Sequence, residues 1–258
     1  MKYDNITPGI FINRPNRFVA HVEIDGRIET VHVKNTGRCR ELLIPGCEVW
    51  LTAPASPGRK TKYDLVAVRK ENGILFNIDS QAPNKVVKEW LDGQGFDRIV
   101  PEYTYGNSRI DFYMERGNER YLMEVKGCTL EIDGIGYFPD APTERGTKHL
   151  YELIKARKEG FHSIAAFVIQ MDGVTEVRPR GATDPAFETA FHEAEKAGVE
   201  ILMLPCHVEP DSLIILSSPR QNVCRVCRVV MTILNFTKVF FGKVVFCKVA
   251  LLNLSSLR

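Results

Sequence analysis

The stretch RIDFYMERGNERYLMEVKG, Arg109 to Gly127, decides the fold. Gly117 and Asn118 tolerate positive φ and stand between two runs rich in Ile, Phe, Tyr, Met, Leu and Val, the pattern of a hairpin with a two-residue loop. Such a loop fixes the register, because cross-strand partners then have numbers that sum to 235. Asp111 falls opposite Glu124, Phe112 opposite Met123 and Ile110 opposite Val125. Alternation gives the apolar pairs one face and the carboxylates the other, with Lys126 beside them. Like charges directly opposite on a sheet cost about 0.2–1 kcal/mol, and one ammonium offsets only part of this. Carboxylate oxygens with no thiolate or imidazole nearby suit a hard cation, Mg²⁺ or Mn²⁺, which would complete the neutralisation. The same residues also fit a plain surface ion pair of little energetic weight.

Working outward, residues 1–82 read as a small β-barrel. FVAHVEID and RIETVHV flank an Asp25-Gly26 turn, and CEVWLTA, KYDLVAVRKENG and ILFNIDS follow, with Pro- and Gly-bearing loops between them. An oligonucleotide-binding (OB) barrel is one solution and an SH3-like barrel another. Residues 83–216 change rhythm. PNKVVKEWLDG is a helix, IVPEYTYG a strand, and the hairpin supplies two more strands. TERGTKHLYELIKARKEG spaces Leu150, Leu153 and Ile154 as a helix does, HSIAAFVIQ is a continuous buried strand, DPAFETAFHEAEKAG a helix stopped at Gly198, and VEILMLPCHV a last strand. The order αβββαβαβ predicts a mixed α/β sheet flanked by helices.

Residues 217–258 form an atypical tail of Val, Phe and Leu interrupted by Lys238, Lys243 and Lys248 too often for a membrane span. The formal charge of +2 is uneven: residues 212–258 hold seven of the 34 basic side chains and none of the 32 acidic ones. The preceding part is therefore net acidic, and overall basicity is no argument for nucleic-acid binding. Seven scattered cysteines without a disulfide rhythm fit a reducing, cytoplasmic compartment. Cys39, Cys47, Cys128 and Cys206 read as small buried residues, and Cys224-x-x-Cys227 lacks the second pair a zinc site needs.

Asp111 followed after 12 residues by Glu124-Val125-Lys126, on an αβββαβ core, resembles the PD-(D/E)xK nuclease superfamily, with Ile110-Asp111 in place of its literal Pro-Asp. Four ordered blocks narrow the resemblance: NTGRCRELLIPG at 35–46, SRIDF at 108–112, MEVKG at 123–127 and FPDAPTERGTKHL at 138–150. Together they are similar to the sugar fermentation stimulation protein A (SfsA) family over most of the chain, to about Ile214. Arg38-Cys39 departs from the family's usual loop and adds a cation. The resemblance implies an N-terminal OB-like barrel, a restriction-endonuclease-like αβββαβ domain, DNA binding and a presumed metal-dependent nuclease activity.

On that reading Asp111 and Glu124, with the Val125 carbonyl, would hold the metal, and Lys126 would orient a water, giving a catalytic set Asp111, Glu124 and Lys126. Glu102 and Glu89 are further candidate contacts. Arg145, Lys148 and His149 lie near a helix N-terminus, where free N–H groups favour phosphate, with Asp140 or Thr143 as cap. On the barrel, Arg17, Phe18, Asn35, Gly37, Arg38 and Arg40 would offer cations and an aromatic platform to a DNA strand, or an RNA one. The other reading is a nucleic-acid-binding regulator that keeps the nuclease fold without turnover. A sugar kinase is disfavoured, since no phosphate-cradling glycine loop is present.

Overall fold

Ile6–Asn16 (β1) carries Pro8 and Pro15, which hides it from a search for strands, yet it is the barrel's longest strand. The computed structural model describes residues 1–35, 37–54 and 58–216, so the expected tail lies outside the described residues. Pro8 is tolerated because β1 pairs with β4 (Glu48–Thr52) over residues 6–10 and with β2 (Val19–Ile24) only from residue 10 onward. Pro15 sits at a register shift between Asn13 and Asn16. Gly9 is needed where β1 crosses, since a Cβ there would lie 2.5 Å from Val22 Cγ1. β2 turns through Asp25 and Gly26, both at positive φ, into β3 (Arg27–Val33). β5 (Asp64–Arg69) pairs antiparallel with β4 and parallel with β3, through His32 to Asp64 and Val33 to Leu65. That last pairing closes a five-stranded OB-type barrel around Phe11, Val22, Val31, Val49, Leu51 and Leu65, in place of the SH3-like alternative.

The second domain follows the expected order. α1 (Ala82–Asp92) precedes β7 (Arg98–Tyr105), β8 (Ser108–Arg116) and β9 (Glu119–Cys128); α2 (Glu144–Lys158), β12 (His162–Ile169), α3 (Pro185–Lys196) and β14 (Glu200–Glu209) complete it. The sheet order is β15 (Ser212–Ile215), β14, β12, β9, β8, β7, with β9, β12 and β14 parallel. α1 covers one face through Val86, Val87 and Leu91, packed with Met123, Val125 and Val168. α2 and α3 cover the other through Leu150, Leu153, Phe187 and Phe191, packed with Leu122, Ala165 and Phe167. β12 is thus buried on both sides, which explains its unbroken apolar run. The expected strand ILFNIDS narrows to β6 (Leu75–Asn77), and four short strands escape the sequence pattern: β10 (Leu130–Ile132), β11 (Ile135–Phe138) and β13 (Val177–Pro179) form a small separate sheet, and β15 pairs with β14. Asp184 joins the two helices on the α2 side, one oxygen accepting from Phe187 N at the start of α3 and the other from Thr143 N ahead of α2.

A buried polar joint links barrel and sheet. Gln170, just past β12, donates from Nε2 to the Asn77 carbonyl, Asn77 Oδ1 and the Asp79 carbonyl at 3.0–3.2 Å, and its own carbonyl accepts from Asn77 N. Asp79 is fully buried and takes Lys34 Nζ at 2.8 Å and the Tyr3 hydroxyl at 3.2 Å. Such groups need their partners, because an unsatisfied buried acceptor costs about 1–3 kcal/mol. Gln170→Leu is accordingly expected to lower stability by about 1–3 kcal/mol, read as a lower urea midpoint at unchanged slope. A midpoint equal to that of the parent chain would contradict this account of the joint.

Candidate active site

The hairpin register is as the loop dictates: Phe112 pairs with Met123, and Arg116 with Glu119. The ladder nevertheless ends at Phe112. Beyond it Asp111 Oδ2 accepts from the Val125 backbone N–H at 2.7 Å, taking the place the β8 main chain would occupy. The expected two-face alternation fails at the same point. Phe112 lies in the α1-side core with Met123 and Val125, whereas Ile110 lies in the α2-side core with Tyr113 and Leu122. β7 shows the matching irregularity: Val100 and Tyr103 pack on one side, and Glu102 between them has φ +54°. The carboxylates therefore do not face each other across a flat ladder; Asp111 sits in a fork between β8 and β9.

Each carboxylate is held from a different helix. Asp111 Oδ1 accepts from Asn84 Nδ2 of α1 at 2.8 Å. Glu124 Oε1 takes Lys126 Nζ at 2.6 Å and also meets Nδ1 of His149 on α2. Glu124 Oε2 is buried and has no hydrogen-bond partner among the described residues. A buried carboxylate oxygen left without a protein partner is costly, so it has the capacity to accept from a water or to ligate a cation. Successive residues of a strand turn their N–H and C=O to alternate edges, so the Val125 carbonyl faces the fork as its N–H does. Among the described residues no group of three His, Cys, Asp or Glu side chains is placed to hold a metal. Two carboxylates, a carbonyl and water remain, a hard-oxygen set that fits Mg²⁺ or Mn²⁺.

Burial, and then the charge of Glu124, hold the Asp111 carboxyl above its ordinary range, against the Val125 N–H, Asn84 and Lys126, which pull it down. Burial also pushes Glu124 upward, but the His149 hydrogen bond and the Lys126 charge outweigh it and leave Glu124 below its ordinary range.

The residues proposed to meet a nucleic acid divide. Arg145 and Lys148 are exposed on the first turns of α2 and line a cleft of about 500 Å³ with Arg109, Ser108 and His149. Thr143 caps the helix, its hydroxyl accepting from Gly146 N at 3.0 Å. Arg17, Arg38 and Arg40 are exposed around a barrel cleft of about 470 Å³, and Phe18 is 54% exposed at the tip of the β1–β2 hairpin. Three expectations are corrected. His149 is only 3% exposed and is turned inward onto Glu124, so it is not a surface phosphate contact. Asn35 uses its amide internally, donating to the Ile78 carbonyl and accepting from Gly37 N. Asp140 is not the α2 cap; its carboxylate is wedged against Gly37, which is half-buried and lines the barrel cleft. Of the extra carboxylates, Glu89 is occupied by the Met1 amino group at 2.7 Å, and Glu102 is exposed and pairs with Arg109.

Sequence reading missed Arg14. Its guanidinium donates to the carbonyls of Arg17, Asn35, Gly37 and Arg38 at 2.6–2.9 Å and so holds the loop that carries the exposed arginines. The Cys39, Cys128 and Cys206 thiols are pushed up to about 12 by burial, which leaves them inert as nucleophiles.

The opposite shifts of the two acids give opposite linkage. The fold favours protonated Asp111, so the charge on Asp111 lowers stability once pH rises past the ordinary aspartate range; Glu124 contributes stability above the ordinary glutamate range that is lost on acidification. Without added divalent cations, Asp111→Asn is expected to raise the thermal midpoint near neutral pH and Glu124→Gln to lower it, both differences shrinking as pH falls into the carboxylate range. Shifts of the same sign near neutrality would contradict the assignment.

The profile of the "SfsA N-terminal OB domain" matches residues 12–78, and that of the "Sugar fermentation stimulation protein RE domain" matches residues 81–212. The sugar fermentation stimulation protein homolog of Desulfitobacterium hafniense is 53% identical over 216 residues, 83% of this chain and 94% of the relative. That of Clostridium beijerinckii is 50% identical over 217 residues, 83% of this chain and 96% of the relative. The solved structure of Pyrococcus furiosus SfsA in complex with Ca²⁺ superposes with a TM-score of 0.73 at 32% identity, covering 84% of this chain and 98% of that one. The four sequence blocks, the closed barrel and these likenesses agree: the chain belongs to the sugar fermentation stimulation protein (SfsA) family.

Proposed function

We propose that the protein is a divalent-cation-dependent nuclease of the PD-(D/E)xK kind that hydrolyses phosphodiester bonds in DNA, with RNA as a second substrate, in the cytoplasm. The observation that carries this reading is the buried Glu124 Oε2, unpartnered among the described residues, near Asp111 and on the same carboxylate that holds the Lys126 ammonium. The complex of Pyrococcus furiosus SfsA with Ca²⁺ supports it, since Ca²⁺ also takes oxygen ligands. When bound, Mg²⁺ or Mn²⁺ would supply Lewis acidity to a phosphate oxygen and lower the pKa of a water. Asp111, Glu124 and the Val125 carbonyl are the groups to hold it. Lys126, on the same carboxylate, would orient the attacking water and stabilise charge that develops on phosphorus-bound oxygen, a type of interaction often worth about 3–4 kcal/mol.

Around this centre the protein offers charge and a stacking surface. Arg145 and Lys148 would take backbone phosphates at the start of α2, where the helix N–H groups already favour anions. Arg17, Arg38 and Arg40 would hold a strand on the barrel, with Phe18 as a stacking platform. Four cysteines of the described residues are free thiols, in keeping with a reducing compartment. No helix of the described residues is long and apolar enough to cross a membrane.

The decisive assay incubates purified protein with single- and double-stranded DNA and RNA in Mg²⁺, Mn²⁺ or EDTA. Cleavage is expected only with metal, and Asp111→Ala or Lys126→Ala should reduce it by about 10²–10³-fold. Cleavage that persists in both variants would indicate a contaminant, and tight binding without metal-dependent cleavage would favour the regulator. In a separate binding titration, Arg38→Ala and Arg40→Ala should each reduce the slope of log K against log salt by about 1, because each phosphate neutralised releases counterions. Unchanged slopes would remove the barrel from the binding surface.

A further inference from the structure

His149 lies on the inward stripe of α2, where an apolar side chain would serve packing alone, yet it brings a hydrogen-bonding ring. It lies on α2 one residue after Lys148 and four after Arg145, both exposed, yet it is turned inward and buried. Its Nδ1 meets a carboxylate oxygen that already accepts from Lys126, and a carboxylate only accepts, so Nδ1 carries the proton. Both donors converge on Oε1, and Oε2 of the same group is left with none.

We infer that His149 is a positioning residue: by holding Glu124 Oε1 beside Lys126, it fixes the carboxylate so that Oε2 is the oxygen turned to the cation. This inference rests on the proposed cation site and adds its outer support on the α2 side, opposite Asn84 on the α1 side. Without His149 the carboxylate would keep Lys126 alone and be free to rotate about its last bond, which would let the ammonium cover either oxygen. Hydrogen-bonded partners behind a ligand typically change metal affinity by about 10–100-fold. The arrangement also joins two tasks in one helix, because the turn that presents Arg145 and Lys148 to phosphate is the turn that sets the Glu124 carboxylate.

Calcium alone, titrated calorimetrically into the full-length protein, tests this without turnover. His149→Leu, which keeps bulk and loses the donor, is expected to weaken Ca²⁺ binding by about 10–100-fold while unfolding cooperatively. His149→Asn, whose amide nitrogen overlies Nδ1, should restore affinity close to the parent value. Should His149→Leu fail to fold, His149→Gln takes its place, since its amide lies one carbon further out and should remain weak. A folded His149→Leu or His149→Gln with parent affinity overturns the inference, as does a His149→Asn as weak as His149→Leu, which would mean a packing role. Glu124→Gln separates the two levels: if it binds Ca²⁺ as the parent does, or the parent binds none, the cation site itself fails.

Discussion

The Val125 N–H sits where two acceptors compete for it, the main chain of β8 and the side chain of Asp111, and the side chain takes it at 2.7 Å. That substitution ends the β8–β9 ladder at Phe112 and Met123, although β8 continues to Ser108, and so opens the fork and brings a carboxylate into it. A charge on the open face of the hairpin would be solvated and weakly coupled to its neighbours. In the fork it is desolvated and close to Glu124, and this is the reason that its carboxyl is held above the ordinary range. The left-handed backbone of Glu102 in the facing strand lets β7 follow the same displacement, so that Tyr103 still pairs with Ile110.

The two acids then differ because their surroundings differ, Glu124 being buried and Asp111 half-buried. Glu124 meets two donors of positive character on one oxygen, whereas Asp111 has neutral donors and a like charge nearby. A site built this way is destabilising for one carboxylate and stabilising for the other. Groups arranged to have opposed proton affinities within one cleft are a recurrent mark of chemistry over mere architecture. The barrel stands beside this site through the Gln170, Asn77 and Asp79 joint, which fixes β6 and β12 together by main-chain and side-chain hydrogen bonds at once.

Much of this was legible in the residues. Gly117-Asn118 set a register that the structure keeps, and the apolar run of β12 and the period of α2 place the sheet and its cover. What the residues did not signal was the break in alternation, since Asp111 has no glycine or proline beside it and Pro101, next to Glu102, is equally at home in a regular edge strand. Arg14 was hidden because its strand contains Pro8 and Pro15, and its four partners are carbonyls, which every residue has. His149 was misread for a related reason. Position near a helix start argues for solvent, but a helix lying on a sheet turns every third or fourth residue inward, and His149 falls on that stripe with Leu150 and Leu153.

Gly37 and Asp140 meet with room for a hydrogen and nothing larger. The barrel loop and the segment leading into α2 are therefore cut to one another's outline, although they lie a hundred residues apart in the chain. A foreign barrel grafted onto this sheet would have to bring the same notch, or the Asp140 side chain would have to turn away from its present place ahead of α2.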